Sequence, residues 1–186
     1  MQKKIVLGIT ASIAAFKACE IIGILRKKGY SVRCVMSPDA KWFVTKTTLE
    51  TLSGEKVVHD MFKGPEKMDP AHIALADEAD IILIAPATAD IIGKIASGIC
   101  DDILSCTVAA AVCPVVFAPA MNERMFLNPI VQDKIRYLKD KKYHFVDPVQ
   151  GHLACDREGM GHLAPVDTIV ETAENILQRE KTKKDK

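Results

Sequence analysis

Short apolar runs alternate with stretches of helical periodicity along most of the chain. Ile5, Val6 and Leu7 form the first run, Gly8 breaks it, and after Thr10, Ala11 and Ser12 the apolar positions fall at Ile13, Phe16, Ile21 and Leu25. This predicts a strand, a tight turn and a helix that closes on Arg26, Lys27 and Lys28, with Gly29 as its C-terminal cap. Ser31–Met36 reads as a second strand, followed by a helix through Phe43. Thr47–Gly64, the least periodic part, reads as a short helix and a surface loop. Asp69 as N-cap and Pro70 at the first helical position open the next helix. Asp80–Ala85 is a continuous apolar run suited to the middle of a parallel sheet, and Val115–Ala118 is another. Between them lie a helix through Ile95 that ends near Gly98 and a helix begun by Asp101 and Asp102 that carries Cys106 and Cys113. Alternating βα units with buried strands predict an α/β fold, an open parallel sheet with helices on both faces.

Composition narrows this to one compact unit. With 186 residues, 48% hydrophobic and 26% charged, the chain suits a single domain over residues 1–178 and a basic, frayed tail over 179–186. A net charge of +1 gives no basis for nucleic acid or an acidic substrate as partner. There is no 18-residue apolar stretch and no basic-then-apolar leader, so no membrane contact and a cytosolic location are expected. The cysteines, at positions 19, 34, 100, 106, 113 and 155, lack CxxC or Cys/His ligand spacing, which favours reduced thiols over disulfides or a metal site.

Candidate chemistry gathers at the predicted strand ends. Thr10 and Ser12 stand where a helix begins, so its unpaired N–H groups and two hydroxyls could converge on one phosphate; an ordinary Ser-capped helix explains them equally well. A single glycine in this turn, in place of GxGxxG, favours a mononucleotide over a dinucleotide. Ser37 and Asp39 follow the second strand at the edge where open α/β sheets hold ligands, though a Ser-Pro-Asp turn accounts for them at least as well. His72 falls in the first turn of its helix, where an imidazole can accept a proton or a hydrogen bond; a lone histidine there is more often a surface or packing residue. Pro86, Ala87, Thr88, Ala89 and Asp90 form a loop of small residues that would let backbone approach a flat ligand, or simply connect strand to helix. Asp101 and Asp102 read as a helix start and not a metal site. Asn122 offers both donor and acceptor at another strand end, suited to a carboxylate or an amide.

The stretch PAMNERM, preceded by PATAD and GKIASGICDD and followed by Leu153, Ala154 and Cys155, resembles the flavin-dependent cysteine decarboxylase (flavoprotein) family, and within it the phosphopantothenoylcysteine decarboxylase branch. The likeness runs from the first strand to about Leu177. It implies a Rossmann-like, flavodoxin-like three-layer fold that binds FMN. Ala11, Ser12 and Ile13, with Ser37 and Asp39, match the family's phosphate and ribityl positions, and Thr88, Ala89, Asp90, Ile91 and Ala120 match those against the flavin. His72 matches the active-site histidine and Asn122 the asparagine that holds the substrate carboxylate, flanked by Met121. Cys155, after Ala154, matches a cysteine on a substrate-covering loop. The implied reaction takes 4'-phosphopantothenoylcysteine to 4'-phosphopantetheine through a thioaldehyde, loss of CO2 and re-reduction of an enethiol, with Cys155 as proton donor. The resemblance further implies homotrimers or dodecamers built of trimers, with FMN between neighbouring subunits, and a phosphopantothenoylcysteine synthetase as a possible separate partner.

Some positions depart from that pattern. Asp90 and Ile91 stand where the family usually has Asn and Thr, Phe126 replaces a usual Trp, and Asp156 and Arg157 follow Cys155 where glycine is usual. His152 and His162 could help bind a phosphate but read better as exposed loop histidines. Two other readings compete with the first. An oxidative decarboxylase of a peptide's C-terminal cysteine would have no use for Cys155 as an acid, and a non-catalytic flavin-fold regulator would have no reason to keep His72, Asn122 and Cys155 together.

Overall fold

A computed structural model of the chain describes residues 2–61, 70–153 and 157–184. Strands β1 (Lys4–Ile9), β2 (Ser31–Met36), β3 (Ile81–Ala87), β4 (Val115–Pro119) and β5 (His144–Phe145) form one sheet in the order β2-β1-β3-β4-β5. Every neighbouring pair is parallel. A second sheet is the antiparallel hairpin of β6 (Val149–Leu153) and β7 (Arg157–His162). The helices are α1 (Lys17–Lys27), α2 (Lys46–Ser53), α3 (Ala71–Glu78), α4 (Ala89–Ala96), α5 (Ile103–Ala110), α6 (Glu123–Phe126), α7 (Pro129–Asp140) and α8 (Val166–Lys184).

The period-2 alternation of the strands builds two cores. Ile5, Leu7 and Ile9 of β1 and Ile81, Leu83 and Ala85 of β3 pack with α1, α2 and α8. Val6 of β1, Ile82 and Ile84 of β3, and Val115 and Phe117 of β4 pack with α3, α4, α5 and α7. The central strands are apolar on both faces for that reason, and the fold has the three layers expected. Gly8 leaves room in the second core: a Cβ there would lie 2.7 Å from Leu104 Cδ1 on α5, so a side chain at this position would push the Leu104 methyls aside.

Each crossover helix returns antiparallel to the strands it joins, so the first turns of α1, α3 and α4 lie at the carboxyl edge of the sheet. The order of strands reverses between β1 and β3, which makes the gap between their carboxyl ends the topological switch point.

Several boundaries differ from the sequence reading. The chain leaves β1 through a 3-10 turn, Ile13–Phe16, before α1 begins, and the segment after Ser37 is also 3-10, Pro38–Trp42. Pro70 is the N-cap of α3 and not its first residue, and Asp69 lies outside the described residues. Residues 62–64 of the predicted loop are likewise outside, while Val58 bridges Val35 in parallel. Pro86 and Ala87 continue β3 instead of joining the loop, with the Ala85–Pro86 peptide cis. Cys106 is on α5 but Cys113 lies beyond its end at Ala110. α8 runs to Lys184, into the stretch expected as a frayed tail, because residues 178–184 contain good helix formers and neither Gly nor Pro. No described helix is long and apolar enough to cross a membrane.

Candidate active site

The carboxyl ends of four strands are laced together in the order in which the strands lie. The Ser37 N–H after β2 donates to Ile9 O at the end of β1 (3.0 Å). Thr10 follows, 2% exposed, and its hydroxyl donates to Pro86 O (2.7 Å) while accepting the Thr88 N–H (3.1 Å). This bridges β1 to β3 across the switch point. The Ala120 N–H after β4 then donates to Ala87 O (3.0 Å), and the Met121 N–H donates to Gly161 O of β7 (3.0 Å). Ser37, Thr10, Thr88, Ala120 and Met121 thereby form one continuous rim that ends at the hairpin.

Thr10 plays a different part from the one its sequence position suggests. Its single O–H and an acceptor site are both used within the protein, so a phosphate at this turn would meet Ser12 and backbone N–H groups, not two hydroxyls. Replacing Thr10 by Val keeps the shape but leaves a buried carbonyl and an N–H without their partner, a cost of about 1–3 kcal/mol. The expected result is a lower denaturant midpoint, read by urea titration.

Ser12 caps the 3-10 turn: its Oγ accepts the Ala14 N–H (3.3 Å), which leaves its own O–H to donate outward. Ala11 beside it is half-buried, and Ile13 is 62% exposed. Ser37 is half-buried and Asp39 exposed; neither side chain makes a hydrogen bond among the described residues. The donors at this end of the sheet are therefore hydroxyls and helix-terminal N–H groups, a set that suits a phosphate.

Thr88 caps α4, accepting the Ile91 N–H at 3.4 Å, and Ala89 presents only a methyl group. The Ile91 side chain, 1% exposed, points into the second core with Ile84 and Phe117, so only its backbone is available to a ring. Asp90 does not direct its carboxylate there either: it pairs with Lys94 one turn on, at 3.4 Å. Lys94 also meets Asp101 (3.1 Å) and Asp102 (3.3 Å). Burial alone lowers its pKa, but hydrogen bonding to Asp101 and the charges of Asp90 and Asp102 outweigh that and raise it. Asp102 starts α5 as expected, in a reciprocal capping box with Ser105.

Asn122 caps α6, its Oδ1 accepting the Arg124 N–H at 2.9 Å. Ala120 is buried and Met121 half-buried against the second core. His72 is half-buried on the first turn of α3, at the same edge, and its imidazole makes no hydrogen bond or ion pair among the described residues. Ala154, Cys155 and Asp156 lie outside the described residues; by sequence they join β6 to β7. Burial pushes the Cys34 thiol up to about 12 and raises Cys19 and Cys106, so these three are protonated and unreactive at neutral pH.

Sequence reasoning missed the hairpin and its anchor, Glu123, whose Oε1 accepts the Met160 N–H at 2.9 Å. The glycines at 151, 159 and 161 were the available signal. A cavity of about 650 Å³ opens at the opposite, amino edge of the sheet, between Val112, Tyr143 and Arg179, and shares no residue with the rim.

The Flavoprotein family matches residues 1–178. The probable phosphopantothenoylcysteine decarboxylase of Streptococcus mutans serotype c is 41% identical over 180 residues, covering 95% of this chain and 100% of its own length. The coenzyme A biosynthesis bifunctional protein CoaBC of Bacillus subtilis (strain 168) is 40% identical over 179 residues, which are 96% of this chain and 44% of that protein. The chain thus spans about half the length of the bifunctional relatives it matches. Among solved structures, a Cys-to-Ser mutant of PPC decarboxylase complexed with pantothenoylaminoethenethiol aligns with a TM-score of 0.86 at 27% identity, covering 96% of this chain and 100% of that one. The FMN-dependent cysteine decarboxylase SpaF aligns with a TM-score of 0.78 at 30% identity, covering 92% of this chain and 98% of that one.

Proposed function

The chain belongs to the flavoprotein family, and on that premise we propose that it is an FMN-dependent phosphopantothenoylcysteine decarboxylase, a carboxy-lyase of coenzyme A biosynthesis that forms 4'-phosphopantetheine. The observation that carries this reading is the laced rim: the turns after β1, β3 and β4 are tied to one another in strand order, with Ser12 close to the β1 tie and Asn122 close to the β4 tie. A phosphate-bearing flat cofactor and a carboxylate-bearing substrate each find a complementary end.

The residues present fit FMN. The capped 3-10 turn and the Ser12 hydroxyl would hold its phosphate, Ser37 and Asp39 its ribityl chain, and the Thr88–Ala89 and Ala120 backbone would lie against its ring. When bound, FMN supplies a two-electron sink that the amide-linked cysteine itself lacks, and returns those electrons later. Asn122 would bind the substrate carboxylate. His72 accepts the thiol proton as the Cβ–S bond is oxidised to a thioaldehyde; the carbon-carbon bond to the carboxylate, now beta to an electron-poor carbon, then breaks to CO2 and an enethiolate. Cys155 would deliver a proton to Cα, and with the electrons returned the net change would be loss of CO2. A neutral thiol can do this near neutral pH because its reference pKa is about 8.5.

A homo-oligomer belongs to the same proposal. Ile13, Phe16 and Trp42 are 62%, 56% and 77% exposed in the segments that follow β1 and β2, beside the phosphate turn, and a neighbouring copy in a trimer would cover them. The synthetase that makes the substrate is a proposed partner, as a separate chain or as further length of the kind the bifunctional relatives have.

The test is to record the visible spectrum of the purified protein and mix it anaerobically with phosphopantothenoylcysteine. A yellow protein giving product lighter by one CO2, with the flavin oxidised again at the end, is the expected result. Product lighter by CO2 and two further hydrogens, with the flavin left bleached, would favour an oxidative peptide-type enzyme instead. A colourless protein, inert after FMN is added, would overturn the enzyme assignment.

A further inference from the structure

Glu123 follows Asn122 directly and opens α6, yet its carboxylate reaches away from its own helix to the hairpin. Oε1 accepts the Met160 N–H at 2.9 Å. The space it occupies exists because residue 159 is glycine: a Cβ there would lie 2.8 Å from Glu123 Cδ and 2.9 Å from both carboxylate oxygens. Two residues along β7, Gly161 O accepts the Met121 N–H at 3.0 Å, and the strand passes so close that a Cβ on Gly161 would lie 2.1 Å from Met121 O. β7 therefore meets the Met121–Glu123 turn at two points, one formed by backbone alone and one by a single side chain. One point leaves the strand able to pivot; two fix its angle. A charged acceptor makes the second the stronger of the two.

Building on the decarboxylase reading, we propose that Glu123 is a positioning residue: its carboxylate fixes the β6–β7 hairpin against the turn that carries Asn122, and so holds that turn, and with it the residue proposed to bind the substrate carboxylate, in place. Glu123 needs no contact with substrate or flavin for this. The charge is not essential either, since an amide oxygen can accept the same N–H.

The experiment compares the full-length flavin-loaded protein with its Glu123→Ala and Glu123→Gln variants. Expected for Glu123→Ala are unchanged flavin content and a KM for phosphopantothenoylcysteine raised about tenfold or more, from loss of one charge-assisted hydrogen bond. Glu123→Gln should stay within about threefold of the parent, since a neutral hydrogen bond is roughly half as strong as a charge-assisted one. Hydrogen exchange gives a second readout: the Met160 amide should lose protection in Glu123→Ala and keep it in Glu123→Gln, with α1 and the central strands unchanged. Parent-like KM and Met160 protection in Glu123→Ala would overturn the proposal, as would equal losses in both variants accompanied by loss of flavin. If the parent protein itself fails to decarboxylate, the functional reading falls while Met160 exchange still decides whether Glu123 holds the hairpin.

Discussion

Replacing His72 by Asn should stop CO2 release, whereas replacing Cys155 by Ser should leave CO2 release running and halt the reaction at the enethiol. The two variants separate the halves of one reaction. His72 sits half-buried on the first turn of α3, at the edge where the rim lies, with no hydrogen bond among the described residues to divert its ring from a substrate thiol. Losing a positioned proton acceptor costs about 10²–10⁴-fold in rate, so CO2 from His72→Asn should approach background while the flavin stays oxidised. Serine at 155 cannot replace the thiol, since an alcohol is a far weaker acid, and product two hydrogens lighter than 4'-phosphopantetheine should accumulate. Mass spectrometry of the product with a parallel CO2 assay checks both; CO2 release at the parent rate by His72→Asn, or complete reduction by Cys155→Ser, would refute the respective role.

Gly161→Ala should cut kcat/KM by about 10²-fold or more with little change in overall stability. Gly161 has φ +127°, a conformation that an L side chain rarely adopts, and its added Cβ would fall 2.1 Å from Met121 O, well inside contact distance. Neither term can be relieved by rotating a side chain, because both partners are backbone. The hairpin must come off the Asn122 turn or drag the turn with it. As neither strand of the hairpin belongs to the five-stranded sheet, the expected thermal midpoint is near that of the parent. Limited proteolysis should cut the hairpin first, and kcat/KM should fall by about 10² or more, the scale of misplacing a bound group by about 1 Å. Full activity in a protein of parent-like protease resistance would mean that the close approach at Gly161 is not needed.

The sheet was legible because its strands are buried on both faces, so Asp80–Ala85 and Val115–Ala118 announce themselves as unbroken apolar runs. Ser31–Met36 matches β2 from end to end. Ser12 and Asp102 were legible as caps, since capping is a local interaction. What the sequence could not disclose is where a side chain spends its hydrogen bonds over long separations. Thr10 and Thr88 look alike as small hydroxyl residues after strands, yet one is locked across the switch point and the other caps a helix. Ile91 matched a flavin-facing position, but helical phase turns it into the core, and Asp90 is drawn off by Lys94. The hairpin stayed hidden because Gly151, Gly159 and Gly161 dilute the alternation a strand normally displays, and their purpose, clearing room for His162, Glu123 and Met121, is visible only in three dimensions.

The lacing of the rim bears on how a ligand arrives. Its ties run between backbone groups and one buried hydroxyl, all of them complete within the protein, so the turns need no ligand to hold their arrangement. A cofactor entering such a cleft has little loop disorder to freeze, and its affinity is not spent on ordering the chain. Association with the apo protein should then be a single fast phase whose heat-capacity change reflects only the area of the flavin covered, and the apo and loaded forms should give nearly the same amide-exchange pattern across β1, β3 and β4.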